Sequence, residues 1–185
     1  QGDYNRARGL CQEALDLSRS LGDPNGIAEA YTGLALVHRT RGDYAEAERL
    51  FQDALTIYEE LGDDEGTARA LDRFALSLVV SGDPDRARAF FERSLALFRR
   101  IGDTHGIALG LYGLSITRTA DGLAAARAQA EEALGILRSV GDRRTFAKVL
   151  WAVGDISADL RETEAAADQF QESLTLFVEF GDRWF

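Results

Sequence analysis

Leu21-Gly22-Asp23 returns as Leu61-Gly62-Asp63, Ile101-Gly102-Asp103, Val140-Gly141-Asp142 and Phe180-Gly181-Asp182. The steps between the glycines are 62 − 22 = 40, 102 − 62 = 40, 141 − 102 = 39 and 181 − 141 = 40. A second Gly-Asp stands between the early copies, at Gly2-Asp3, Gly42-Asp43 and Gly82-Asp83. The structural unit is therefore two short pieces, and self-similarity at such a period is the mark of a solenoid or array.

The pieces read as helices. In residues 26–41 the apolar side is Ile27, Ala30, Tyr31, Leu34, Ala35 and His38, one face of a 3.6-residue period. In 44–61 it is Tyr44, Ala47, Phe51, Ala54, Leu55 and Tyr58. The two prolines, Pro24 and Pro84, both directly follow a Gly-Asp. They are thus kept out of every helix interior, where each would cost about 3 kcal/mol. Glycine suits the left-handed residue just past a helix end. Aspartate suits the next N-cap, where its carboxylate meets free N–H groups and the positive end of the dipole. Asp43 followed by Glu46 has the spacing of a capping box. The leading apolar residue, Leu21 or Leu61, is expected to close the end of its helix onto the neighbours.

These signals predict a lone helix over 3–21 and then four pairs: 24–41 with 43–61, 64–81 with 83–101, 104–120 with 123–140, and 143–160 with 162–180. Loops this short force antiparallel neighbours. Two turns are expected to be the least regular: Asp121-Gly122, where the mark is reversed, and Leu160-Arg161-Glu162, which lacks glycine. The domain reading is one array over 1–185, with a half repeat at 1–22, repeats at 23–62, 63–102, 103–141 and 142–181, and the start of another at 182–185.

Second helices carry a small-large-small pattern: Ala47, Phe51, Ala54; Ala87, Phe91, Ser94; Ala126, Ala130, Ala133; Ala166, Phe170, Ser173; and Ala7, Cys11, Ala14 in the lone helix. First helices answer with a large residue before a small one: Leu34-Ala35, Phe74-Ala75, Leu114-Ser115 and Val153-Gly154. Small residues let helix axes approach to the near end of the usual separation. On these residues the chain resembles the tetratricopeptide repeat, in a long variety near 40 residues like that of bacterial signal-transduction ATPases and transcriptional regulators. The fit is loosest where Ala130 replaces the aromatic. The resemblance implies an all-α fold, a right-handed α-solenoid of antiparallel pairs with about nine helices.

Composition bounds the function. The net charge is −10, from 21 basic and 31 acidic residues, and no run of Lys and Arg exceeds two. Direct binding to a phosphate backbone is not expected. No apolar run has the length of a membrane span. One cysteine excludes an intramolecular disulfide, and the reading is cytoplasmic. Methionine is absent even at the first position, which points to a fragment of a longer protein. His38 reads as a packed core histidine and Cys11 as a small buried hydrophobe. His105 falls in a first turn, and no Cys/His spacing for zinc exists. Glu59-Glu60 and Asp63-Asp64-Glu65 read as caps and solvated face, and Arg41-Gly42-Asp43 as a repeat turn. No phosphate-cradling glycine loop is present, so neither an enzyme nor a cofactor is expected.

The resemblance further implies a concave groove lined by first helices. Carried over by register, its positions are Glu29, Thr32, Leu36 and Arg39; Arg69, Asp72, Leu76 and Val79; Leu109, Tyr112 and Ile116; Lys148, Trp151 and Asp155. A solvated face would be polar, whereas this one places Leu36, Leu76, Val79, Tyr112, Ile116 and Trp151 in successive repeats. An apolar strip rimmed by charge suits an interaction site. The competing reading is packing between repeats or against a flanking one. The expected function is a non-catalytic scaffold for a protein or peptide in the groove, or for another domain of the same protein. The alternative is a regulatory sensor module of an ATPase or transcriptional regulator. Self-association through uncapped terminal helices is a third reading.

Overall fold

The structure, a computed structural model, describes residues 2–118 and 122–180. Among them nine α-helices follow one another: α1 Gly2–Leu21, α2 Pro24–Arg41, α3 Tyr44–Leu61, α4 Asp64–Ser81, α5 Pro84–Ile101, α6 Thr104–Ile116, α7 Leu123–Val140, α8 Arg143–Asp159 and α9 Thr163–Glu179. No strand occurs among the described residues. The fold class is all-α, an α-solenoid of helix pairs.

The chain forms two compact units, 1–101 and 102–185. In the first, each helix from α1 to α5 packs on the next, and the first helices α2 and α4 also touch. In the second, α6 to α9 pack in order and α6 touches α8. Contacts are densest within the pairs α2–α3, α4–α5, α6–α7 and α8–α9. First helices therefore form one layer of each unit and second helices the other.

The punctuation works as helix hardware. Gly22, Gly42, Gly62, Gly82, Gly102 and Gly141 all have positive φ. The amides of Gly42 and Asp43 donate to Arg39 O and His38 O, satisfying carbonyls a helix end leaves open. Asp63, Asp103 and Asp142 accept from the amides of Gly66, Gly106 and Thr145, and Asp83 accepts from Arg86 N at 3.2 Å.

Several expectations need correction. The capping box at Asp43 is not made, because Glu46 is held by Arg49 through bonds of 3.0 and 2.6 Å, while the Asp43 carboxylate lies 3.5 Å from His38 Nδ1. Helix α6 stops at Ile116, and of the expected continuation to 120 the positions 119 and 120 lie outside the described residues. The Thr117 hydroxyl and amide both donate to Leu114 O, so its side chain competes with the helical ladder and closes the last turn. Of the irregular turn expected at Asp121-Gly122, Asp121 lies outside the described residues, and Gly122 precedes α7 at φ −102° without a side-chain cap. At the glycine-free turn, Arg161 itself takes φ 63°, the left-handed conformation that glycine supplies elsewhere. Leu21, Leu61, Ile101 and Val140 do not close their helix ends but stand exposed. Cys11 is half-buried, with its sulfur against Gly33, and burial pushes the thiol pKa up.

The core follows the small-large-small pattern. Ala47, Phe51, Ala54, Ala87, Phe91, Ser94, Ala130 and Ala133 have no exposed surface, and neither do Ala35, Ala75 and Ser115 opposite. Where the last small residue is serine, its hydroxyl reaches the paired first helix: Ser94 Oγ donates to Ala68 O and Ser173 Oγ to Ala147 O. Those hydroxyls are buried but satisfied. Burial of each large aromatic contributes roughly 1.5–3 kcal/mol.

Candidate partner-binding face

In the first unit a cleft of about 460 Å³ opens between α2 and α4. Asn25, Glu29 and Thr32 line it from α2, and Glu65, Arg69 and Arg73 from α4. Tyr58 of α3 forms its floor. The cleft exists because small residues stand where the helices meet: Gly33 on α2, Gly66 and Ala70 on α4. Gly66 has no substitute here, since a Cβ would run into the Tyr58 ring.

The cleft carries both signs of charge. Glu29 faces it from one wall, with Asp63 at the α4 cap, and Arg69 and Arg73 face it from the other. Arg69 is tied to Glu65 at 2.6 Å on the exposed side of α4. Burial, reinforced by the carboxylates of Glu29 and Asp63, pushes the Tyr58 hydroxyl up to about 12, against a hydrogen bond to Thr32. Tyr58 is thus a neutral hydroxyl at the bottom of a charged cleft. Thr32 is 2% exposed and donates to Ala28 O at 3.0 Å, so its hydroxyl is already engaged. Asp72 is 6% exposed. Leu36, Leu76 and Val79 are half-buried, as is Arg39, whose guanidinium burial drives down against the opposing pull of Tyr44.

In the second unit the corresponding face of α6 and α8 is aromatic and apolar. Leu109, Tyr112, Ile116, Trp151 and Asp155 are half-buried, and Lys148 is exposed. The Trp151 ring lies 4.7 Å from that of Phe170 at 52°, a tilted aromatic pair. Phe170 is seated over Gly154, where a Cβ would come within 2.6 Å of the ring. Trp151 is therefore positioned by its own repeat. Asp155 is raised by burial, while Arg118 draws it down and Asp159 adds to the rise. Arg118 itself is bound to Asp159 at 3.0 and 2.7 Å. At the other end of this face His105 Nε2 lies 2.9 Å from the carboxylate of Asp142.

Of the anticipated groove residues, the cleft gathers Glu29, Thr32 and Arg69. Leu36, Arg39, Asp72, Leu76 and Val79 are not among its lining. Asn25, Tyr58 and Arg73 line it without having been anticipated. Tyr58 belongs to the core stripe of its helix, as the spacing predicts, and it also lines the cleft, with its ring beside Gly66. The spacing Gly26, Gly66, Gly106 behind successive Gly-Asp marks was the available signal. Among the described residues no group of three or more His, Cys, Asp or Glu side chains is placed to hold a metal. No described helix is long and apolar enough to cross a membrane.

Comparison with known proteins places these faces in context. A family model described as the tetratricopeptide repeat matches residues 1–60 and 66–139. No curated protein sequence matches. Among solved structures the chain is similar to BtubC from P. vanneervenii, with a TM-score of 0.78 and 19% identity over 97% of this chain and 75% of that one. It is similar to a Rap protein complexed with Competence and Sporulation Factor, with a TM-score of 0.83 and 15% identity over 98% of this chain and 51% of that one. It is also similar to MamA, with a TM-score of 0.56 and 15% identity over 98% and 97%. The chain thus spans about half the Rap chain, and at these identities the likeness is one of fold.

Proposed function

Because the chain belongs to the tetratricopeptide repeat family, we propose that it is a non-catalytic scaffold whose first-helix faces hold a protein or peptide segment. The observation that carries this is the cleft between α2 and α4, open to solvent and furnished with a neutral hydroxyl, carboxylates and guanidinium groups. Such a set bonds to peptide backbone and to side chains of either sign. The half-buried Leu36, Leu76 and Val79 continue that face with apolar surface, and Tyr112, Ile116 and Trp151 do the same in the second unit. Aromatic side chains and arginine are the usual anchors of an interface. The similar Rap protein was solved with Competence and Sporulation Factor bound, which agrees with a fold that holds a partner.

A random peptide library displayed on phage, selected against the chain, tests this. Selected peptides should lose binding by roughly tenfold or more in Arg73→Glu, where a charge-assisted contact becomes repulsive. They should also weaken in Trp151→Ala. Helical content and melting temperature of Arg73→Glu should match the wild type, since Arg73 is exposed. Selected peptides that bind both variants as tightly as the wild type would sink the proposal.

A further inference from the structure

A second concavity, of about 290 Å³, lies where α7 turns into α8, lined by Leu137, Arg138, Phe146, Glu172, Leu176 and the Gly141 turn. None of the first-helix residues named above lines it. The repeat places a counterpart of about 370 Å³ in the first unit, where α3 turns into α4, lined by Tyr58, Glu59, Thr67, Arg93, Leu97 and Arg100. Two ion pairs cross that counterpart: Arg93 with Glu59 at 3.0 Å, and Arg100 with Asp64. Each of its rim charges is satisfied within the chain.

In the second unit the four equivalent positions hold Arg138, Arg143, Glu172 and Glu179, with every sign exchanged. One crossing pair survives the exchange, as Arg143 Nη2 bonds Glu179 at 2.6 Å. The other does not form. Arg138 instead lays its guanidinium 5.4 Å from the centroid of the Phe146 ring, and no ion pair joins it to Glu172 among the described residues. The floor has changed as well. Phe146 stands where the first unit has Thr67, and Leu137 where it has Tyr58. Phe146 is 9% exposed, Leu137 is fully buried and Leu176 half-buried.

Among the described residues, the result is a notch floored by Leu137, Phe146 and Leu176, with Arg138 resting only on the Phe146 ring at one rim and Glu172 in no ion pair at the other. Its volume lies just below the usual range of ligand pockets and is of the size that a single side chain fills. Arg138 keeps one face on Phe146 and leaves its fork of N–H donors for a planar carboxylate. Glu172 offers acceptors for an N–H. A group that satisfies all three carries an aromatic ring, a carboxylate and an amide N–H within one residue. We propose that this notch is a docking site for the C-terminal aromatic residue of a partner peptide, separate from the first-helix faces.

N-acetylphenylalanine carries those three groups and is the probe. Titrated into the 15N-labelled chain, it should shift the amide signals of Gly141, Phe146 and Leu176 with an affinity on the order of millimolar, as suits so small a ligand. N-acetylphenylalaninamide, which lacks the carboxylate, should bind roughly tenfold more weakly. Arg138→Glu should weaken the acid by a similar factor and leave the amide little changed. Phe146→Thr, which installs the first unit's residue, should remove binding of both. Absence of shifts, shifts confined to the faces of α6 and α8, or equal binding of acid and amide to the wild type would each overturn the proposal. The last comparison needs no variant, so it decides even if Phe146→Thr folds poorly.

Discussion

The turn from α3 to α4 and the turn from α7 to α8 hold the same place in the repeat and carry opposite charge. The first is flanked by Glu59, Glu60, Asp63, Asp64 and Glu65, the second by Arg138, Arg143 and Arg144 around the one carboxylate, Asp142. Both are bridged to the following second helix: Asp64 to Arg100 in one, Arg143 to Glu179 in the other. The repeat therefore sets where a link is made and leaves its sign free. Packing differs in the same way. In the first unit Phe51, Phe74 and Phe90 form a chain of rings with centroids 5.3 and 4.7 Å apart. In the second, Ala130, Val153 and Gln169 stand at those positions, and the aromatic pair moves to Trp151 and Phe170. In the second unit the bulky ring meets a small partner, Phe170 over Gly154.

The comparison can be broken most severely in the aromatic chain. Phe74 is 1% exposed, and Phe74→Ala should cost about 3–5 kcal/mol, including the cavity left between its two ring neighbours. The drop in urea midpoint measures it. Gly154→Ala tests the second unit from the opposite direction, by overpacking. The added methyl meets Phe170 and should cost about 1–3 kcal/mol. In a Trp184→Phe background the emission of Trp151 should change with it.

Titration separates the units by pH. Burial would raise Asp142, but hydrogen bonds from Thr145 and from His105 outweigh it and bring the carboxyl down from 3.8 to about 2. Its folded pKa is thus below its unfolded one. The second unit keeps this contribution above about pH 4 and loses it as pH falls through about 2, up to about 2 kcal/mol. Denaturation across that window should flatten in Asp142→Asn. In the first unit Tyr58 is raised from 10.0 to about 12. The stability that its neutral form contributes is complete below about pH 10 and lost as pH rises through about 12. Absorbance of ionised tyrosine should show Tyr58 titrating late, and Tyr58→Phe should remove that late step.

The smallest effect belongs to the charge exchange. Asp64 and Arg100 are largely exposed, so Asp64→Arg should cost below about 1 kcal/mol. Arg100→Glu added to it installs the second unit's polarity and should restore what was lost. A double variant no more stable than the single one would mean that the crossing pair is not what holds α5 to the turn.

The helices were legible to within a residue or two because their signals are local. A 3.6-residue apolar period, a glycine that tolerates positive φ and an aspartate that caps all act on neighbouring backbone. The exceptions are instructive. Thr117 ended α6 early through a hydroxyl that answers only to its own turn, and Arg161 adopted a conformation that residue type alone argues against. The first-helix face was legible as a register and not as a site. Only the packed units show that Glu29 and Arg69 share a cleft with Tyr58 and Arg73, while Leu36 and Val79 lie outside its lining.

What the chain's own sequence determined is therefore the plan: helix pairs, their boundaries, and a small-large-small core that closes wherever two helices approach. Those features repeat, and each is decided by residues within a turn or two of one another. Tertiary structure decided where the plan opens. A cleft forms where Gly33, Gly66 and Ala70 happen to oppose each other, and a notch is left where Arg138 rests on Phe146 rather than reaching Glu172. Both depend on side chains tens of positions apart meeting across helices. Such a meeting is settled by packing and electrostatics in three dimensions, which no local period encodes.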